Sequence, residues 1–318
     1  MAAPVSANVA YIAPAKIAAG KLTRDLDLTD SELLALLDLT SRVKNHAPRF
    51  AHALSGNYIS LLFEKPSLRT RLTFELAIKQ LGGDAVTSIG PIGDREPLKD
   101  VARNLDRWTQ AIVARTFSQA TIDDLSHWSS VPVINALSDL YHPCQALADI
   151  FTLQEQFEDL RGLKLAFVGD GNNVAHSLML CAARLGMNFA IGCPKGYEPN
   201  PHIVDEAANI ASITGAAIEI TNNPIEAVSG AHAVYTDVWT SMGQEDENQQ
   251  RLEDFAPYQV NASLFRHARP SARFMHCLPA KRGQEVTDEV IEATGSVVFD
   301  QAENRLHAQK ALLLMLIG

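Results

Sequence analysis

Two hydroxyls and two guanidinium groups crowd one short stretch of this chain, Ser67-Leu68-Arg69-Thr70-Arg71. An apolar run, Tyr58 to Phe63, reads as a buried strand just before it. Apolar residues at 68, 72, 76 and at 74, 78, 81 follow at helical spacing, closed by Gly82-Gly83. Ser67 therefore falls at an N-cap, and Pro66 keeps the helix from starting earlier. Free backbone N–H groups at a helix N-terminus attract anions, so the chemistry on offer is the grip of an oxyanion, phosphate foremost. Taken alone, the same residues also suit an ordinary capped helix with surface charges.

Further groups recur at the ends of later apolar runs. Arg115 closes the run Ala111 to Ala114. His142 and Gln145 share the first turn of a helix that Pro143 opens. Gly169-Asp170-Gly171-Asn172-Asn173 places two amides between a strand and a helix, where they could hold a small carboxylate or form a plain polar turn. Asp237 ends Val234-Tyr235-Thr236, and His276-Cys277-Leu278-Pro279 ends another strand. Carboxylates at the C-terminal ends of parallel strands face the crevice where ligands bind. Glu303, Asn304 and Arg305 lie early in the last helix. A dinucleotide reading of Gly169-x-Gly171 fails: Val174 stands where a third glycine belongs, and no acid closes the run Phe189 to Cys193.

Strands alternating with helices along the whole chain must position these groups, which calls for parallel sheets covered on both faces. The fold class is α/β, with two domains joined by long helices. The expected boundaries are a flexible extension at 1–27, one domain at 28–157 and another at 158–301. A C-terminal helix at 302–317 packs back on the first domain. A short strand is expected at 296–299, just before that helix.

The length of 318 residues, 47% hydrophobic and 20% charged, suits two globular domains. A net charge of −10 argues against a nucleic-acid partner. No apolar run reaches the length of a membrane span. The four cysteines, Cys144, Cys181, Cys193 and Cys277, form no C-x-x-C pair and are expected as reduced thiols in a cytoplasmic protein. A zinc site from His142, Cys144, His276 and Cys277 would strain a tetrahedron, so no metal is expected.

The order of the motifs is more specific than any one of them. SLRTR at 67–71, Arg115, HPCQALAD at 142–149, GDGNN at 169–173, DVWTSMG at 237–243, HCLP at 276–279 and AENR at 302–305 resemble the ornithine carbamoyltransferases of the aspartate/ornithine carbamoyltransferase superfamily, across residues 28–318. Leu68 departs from the more common Thr but keeps its backbone N–H. The resemblance implies transfer of a carbamoyl group from carbamoyl phosphate to the δ-amine of L-ornithine, giving citrulline and phosphate without a cofactor. By that resemblance Ser67, Leu68, Arg69, Thr70, Arg115, His142, Gln145, Leu278 and Arg305 would bind carbamoyl phosphate. Asn173, Asp237, Ser241 and Met242 would bind ornithine. Arg115, His142 and Cys277 would be catalytic, Cys277 beside the δ-amine. The family also implies a homotrimer or a multiple of trimers with sites at subunit boundaries, where a neighbour's segment 90–97 would reach in. Two other readings stay open: a sibling transferase acting on another amine, and a non-catalytic or NAD-binding α/β protein.

Overall fold

The computed structural model describes residues 14–241, 243 and 245–318. Its first half comprises α1 (Asp30–Asn45), β1 (Tyr58–Phe63), α2 (Leu68–Gln80), β2 (Asp84–Ile89), α3 (Leu98–Trp108), β3 (Ala111–Arg115), α4 (Gln119–Trp128), β4 (Val133–Leu137) and α5 (Pro143–Phe157). The second half opens with β5 (Lys164–Val168), α6 (Asn173–Leu185), β6 (Asn188–Gly192), α7 (Pro201–Thr214), β7 (Ile218–Thr221) and α8 (Pro224–Val228). It closes with β8 (Ala233–Thr236), α9 (Asn248–Phe255), α10 (Ala262–Phe265), β9 (Arg273–His276), α11 (Asp288–Ile291) and α12 (Val298–Ile317).

The strands form two parallel sheets, ordered β2-β1-β3-β4 and β7-β6-β5-β8-β9, so the α/β class expected above is the one observed. Each order reverses once: the chain leaves β1 toward β2 and returns on its other side as β3, and likewise leaves β5 toward β6 and returns as β8. Such switch points open a crevice at the C-terminal strand ends, because the two connections depart to opposite faces. Phe63 pairs with Arg115 at the first crevice, and Val168 with Thr236 at the second. All the motif turns begin at these two places or beside them.

Two long helices tie the sheets together. Along α5, Cys144, Leu147 and Ala148 pack into the first core, while Ala146, Ile150 and Leu153 pack into the second. On α12, Leu312, Leu313 and Met315 join Leu33 and Leu36 of α1 and Phe74 and Ile78 of α2. Fully burying a side chain of this kind is worth about 1.5–3 kcal/mol, so the contact between α12 and the first half is substantial.

Three readings need correction. Residues 1–13 of the supposed flexible extension lie outside the described residues, but Ile17, Leu22, Thr23 and Asp25 are buried. Leu22 is buried and extends the first sheet, donating to Val133 O at 3.0 Å and accepting from Asn135 N at 2.8 Å. Thr23 O beside it accepts from Asn135 Nδ2 and Gln119 Nε2, so side chains as well as backbone dock the segment on the edge at β4. The strand expected at 296–299 is only a bridge between Phe274 and Ser296, after which the chain turns directly into α12. Finally α4, N-capped by Ser118, occupies a stretch for which no element was expected.

Candidate active site

Ser67 caps α2 as expected, its Oγ accepting from Thr70 N at 3.3 Å. This leaves the first backbone donors of α2 pointing at the crevice beyond β1. Arg305 of α12 reaches the same turn and donates from Nη2 to Thr70 Oγ1 at 2.6 Å. Arg115 ends β3 beside it, almost completely buried. Burial and the repulsion of Arg305 push its pKa down to about 10, so it remains a cation at neutral pH.

His142 precedes Pro143 at the start of α5. Its backbone N–H donates to Ser177 Oγ at 2.9 Å, and Ser177 in turn donates to Asp25 Oδ2 at 2.7 Å. The imidazole is buried, and burial together with Arg305 and Arg115 holds its pKa well below the ordinary range. It is therefore neutral at physiological pH, able to donate one hydrogen bond without carrying charge. One turn along, Gln145 donates through Nε2 to Asp149 Oδ1 at 2.8 Å.

The second sheet supplies the facing wall. Asn172 caps α6, accepting from Val174 N and Ala175 N, and its Nδ2 donates to Asp237 Oδ2 at 3.0 Å. Asn173 donates to Ser138 O at 2.6 Å. The turn is tight: a Cβ on Gly171 would lie 2.2 Å from Pro199 N, so only glycine fits. Asp237 also accepts from Val238 N at 2.8 Å and from Cys277 Sγ at 2.9 Å. Burial and the neighbouring Asp237 raise the Cys277 pKa well above the usual thiol range, so the thiol is a protonated donor. Leu278 donates its N–H to His276 Nδ1 at 2.9 Å, and His276 Nε2 faces Glu285 Oε1 at 3.2 Å.

These groups line one cavity of about 670 Å³ between the sheets. It collects Ser67, Leu68, Arg69, Thr70, Arg115, His142, Gln145, Asn173, Asp237, Ser241, Cys277, Leu278 and Arg305. Met242 lies outside the described residues. Sequence reasoning missed Leu137, Thr240, Asn248 and Lys281, which also line it. Thr240 Oγ1 donates to Asn248 Oδ1 at 3.1 Å, closing the root of the loop after Asp237. The polarity of Thr240 beside Ser241 was the one signal available for that contact.

Several buried polar atoms of the wall have no hydrogen-bond partner among the described residues: Arg115 Nε, Arg305 Nε, His142 Nδ1 and Gln145 Oε1. A buried polar group without a partner carries a desolvation cost of about 1–3 kcal/mol. Among the described residues Asp237, His276 and Cys277 also bring three metal-binding atoms within 4.8 Å of one another. Both ring nitrogens of His276 are already engaged, so ligation would require giving up those contacts.

Residues 21–155 match the family described as aspartate/ornithine carbamoyltransferase, carbamoyl-P binding domain, and residues 161–316 match its Asp/Orn binding domain. The ornithine carbamoyltransferase of Prochlorococcus marinus (strain MIT 9313) is 49% identical over 295 residues, covering 92% of each chain. That of Parasynechococcus marenigrum is 50% identical over the same length. The solved ornithine carbamoyltransferase of Pyrococcus furiosus superposes with a TM-score of 0.92 at 44% identity, covering 95% of this chain and 98% of its own. This chain belongs to the aspartate/ornithine carbamoyltransferase family.

Proposed function

We propose that the chain is an ornithine carbamoyltransferase, moving the carbamoyl group of carbamoyl phosphate onto the δ-amine of L-ornithine to give L-citrulline and phosphate. The observation that carries the reading is the convergence of Arg115, Arg305, His142 and the α2 N-terminus with Asp237 and Cys277 on one cavity.

Phosphate sits on Ser67, Arg69, Thr70 and the N–H groups of that turn, Leu68 included. Arg305 both orients Thr70 and adds charge. Arg115, His142 and Thr70 direct donors at the carbonyl oxygen, which becomes negative as the amine attacks. A neutral His142 suits this role because it donates from one ring nitrogen without adding charge, and its lowered pKa makes the other nitrogen a weak base. Gln145 and the Leu278 carbonyl accept from the carbamoyl NH2. Asn173 receives the ornithine carboxylate, while Asp237, Ser241 and the Met242 backbone hold its α-amine. The δ-nitrogen, beside Cys277, forms a bond to the carbamoyl carbon and sheds a proton, which the departing phosphate takes up. The carbon–oxygen bond to phosphate then breaks, and phosphate departs with the electron pair. The protonated Cys277 thiol is unsuited to attack as a nucleophile, which favours direct transfer over a covalent intermediate.

In this reading 28–157, with the C-terminal helix, is the carbamoyl-phosphate half and 158–301 the ornithine half. No helix of the described residues is long and apolar enough to cross a membrane. All four cysteines are free thiols, which supports a cytoplasmic setting. A homotrimer is supported by the stripe Leu68, Leu72 and Leu76 on α2, which is 66%, 40% and 45% exposed beside the edge strand β2. Sedimentation would measure that assembly, and a monomer would remove it, together with any part for a neighbour's 90–97. The function itself is tested by citrulline formation from carbamoyl phosphate with ornithine, putrescine and acetylornithine. A preference for either alternative amine would transfer the reading to a sibling transferase, and no transfer to any of them would end it.

A further inference from the structure

Asp149 is a fully enclosed carboxylate behind the cavity, and the mechanism above does not use it. It is 0% exposed, as are Gln145, Tyr235 and His276 around it. Its Oδ1 accepts from Gln145 Nε2 at 2.8 Å and from Gln301 Nε2 at 2.7 Å, and its Oδ2 accepts from Tyr235 OH at 3.0 Å. Gln301 then accepts from His276 N at 3.0 Å through its own carbonyl oxygen. One carboxyl group thus joins α5, α12, β8 and β9. Tyr235 lies two residues before Asp237, and His276 immediately before Cys277. Burial raises the Asp149 pKa to about 7 despite the opposing hydrogen bonds, so the site tolerates an ionisable group where an apolar one would pack more cheaply.

The consequence for Gln145 is specific. A primary amide has two nearly isosteric orientations, one showing its oxygen to the cavity and the other its NH2. With Nε2 bound to Asp149, Oε1 is the amide atom left without a partner. We infer that Asp149 is a positioning residue. It locks Gln145 with Oε1 as an acceptor for the NH2 of the carbamoyl group, and it ties that acceptor to the strands carrying Asp237 and Cys277. Without the lock, the flipped amide would set donor against donor. An acyl phosphate lacking the NH2, such as acetyl phosphate, would then be excluded less strongly. The inference rests on the carbamoyl-transfer reading proposed above.

The experiment titrates intact wild-type protein, D149L and D149N with carbamoyl phosphate, acetyl phosphate and inorganic phosphate. Leucine keeps the branched shape but removes both acceptor oxygens. Asparagine keeps an oxygen for both glutamines and an NH2 that the Tyr235 oxygen can accept. The expected result for D149L is carbamoyl-phosphate affinity weakened about 10-fold or more, with inorganic phosphate changed less than about 2-fold. D149N should stay within about 3-fold of wild type for both ligands. Should D149L not fold, D149S makes the same comparison, because its hydroxyl is too short to reach Gln145. Equal weakening of all three ligands would mean a structural role only, and a D149N as defective as D149L would mean the charge matters and not the orientation. Either result overturns the inference while wild-type citrulline formation stands. A wild-type protein forming no citrulline overturns the functional reading, and this inference with it.

Discussion

Cys277 Sγ donates to Asp237 Oδ1 at 2.9 Å, joining the first residues after β9 and β8. The same carboxylate accepts from Val238 at Oδ1 and from Asn172 at Oδ2, so Oδ1 holds two donors and Oδ2 only one. Oδ2 keeps acceptor capacity for an entering amine. A carboxylate next to the reacting nitrogen would also favour its ammonium form, which cannot attack. Cys277 meets this carboxylate as a protonated thiol.

Changing Cys277 to Ser keeps a donor but shortens its reach. The expected outcome is a KM for ornithine raised about 3- to 10-fold, the span of a typical weakened hydrogen bond, with an altered pH profile. The KM for carbamoyl phosphate should move much less. Steady-state kinetics with each substrate varied in turn measures both, and a change confined to carbamoyl phosphate would place Cys277 on the wrong side of the reaction.

Arg69 stands in the first turn of α2 and lines the cavity. A hydrogen bond from a charged group contributes about 1.5–3 kcal/mol, and several act together on a phosphate. Arg69→Ala is therefore expected to weaken carbamoyl-phosphate binding by at least about 10-fold, with thermal stability little changed, because the side chain is partly exposed. Calorimetric titration gives the first quantity and a melting curve the second. Unchanged affinity would take Arg69 out of the site.

What could be read from sequence was local. Ser67 and Asn172 announce their helices because capping involves only residues within the next turn. The parallel sheets follow from alternation alone. Contacts made by folding were not legible: Arg305 meets Thr70 across 235 positions, and Ser177 holds the backbone of His142 across 35. Neither separation leaves a periodic trace. The apolar residues at 296–299 looked like a strand, yet the chain makes one bridge and turns into α12, whose burial against α1 and α2 outweighs local β preference. Leu22 was misjudged for the opposite reason, since Ile17, Leu22, Leu26 and Leu28 are scattered among charged and small residues without a helix or strand period.

Gly171 is fixed by proximity. A Cβ there would meet Pro199 N at 2.2 Å, Glu198 C at 2.5 Å and Pro199 Cα at 2.7 Å, all backbone atoms that cannot rotate away. Gly171→Ala is expected to cost about 1–3 kcal/mol of stability, the usual range for overpacking. It should also displace Asn172 and Asn173, raising KM for ornithine more than KM for carbamoyl phosphate. Chemical denaturation together with the two KM values tests both parts, and an unperturbed variant would mean that the 198–199 segment yields.

The last expectation concerns pH and stability, where buried groups pull in opposite directions. Burial raises Asp25 to about 6 and Asp149 to about 7. Their unfolded values are near ~3.9. Between those limits the native state holds protons that the unfolded state has released, so both carboxyls make stability fall as pH rises, and the loss is complete above the folded values. His142 acts the other way. Burial first, then Arg305 and Arg115, keep its folded pKa well below the ordinary ~6.5. Below that ordinary value the unfolded state takes up a proton that the native state refuses, and stability falls as pH falls. The variant D149N separates the two, because it removes one raised carboxyl and leaves His142 untouched. Its Tm relative to wild type should increase between about pH 5 and about pH 8, since only the wild type must bury a charge at the upper end. Melting curves of both proteins across that interval measure the difference directly. A constant offset would show that Asp149 does not titrate in this range, and hence that the hydrogen bonds from Gln145, Gln301 and Tyr235 offset its burial completely.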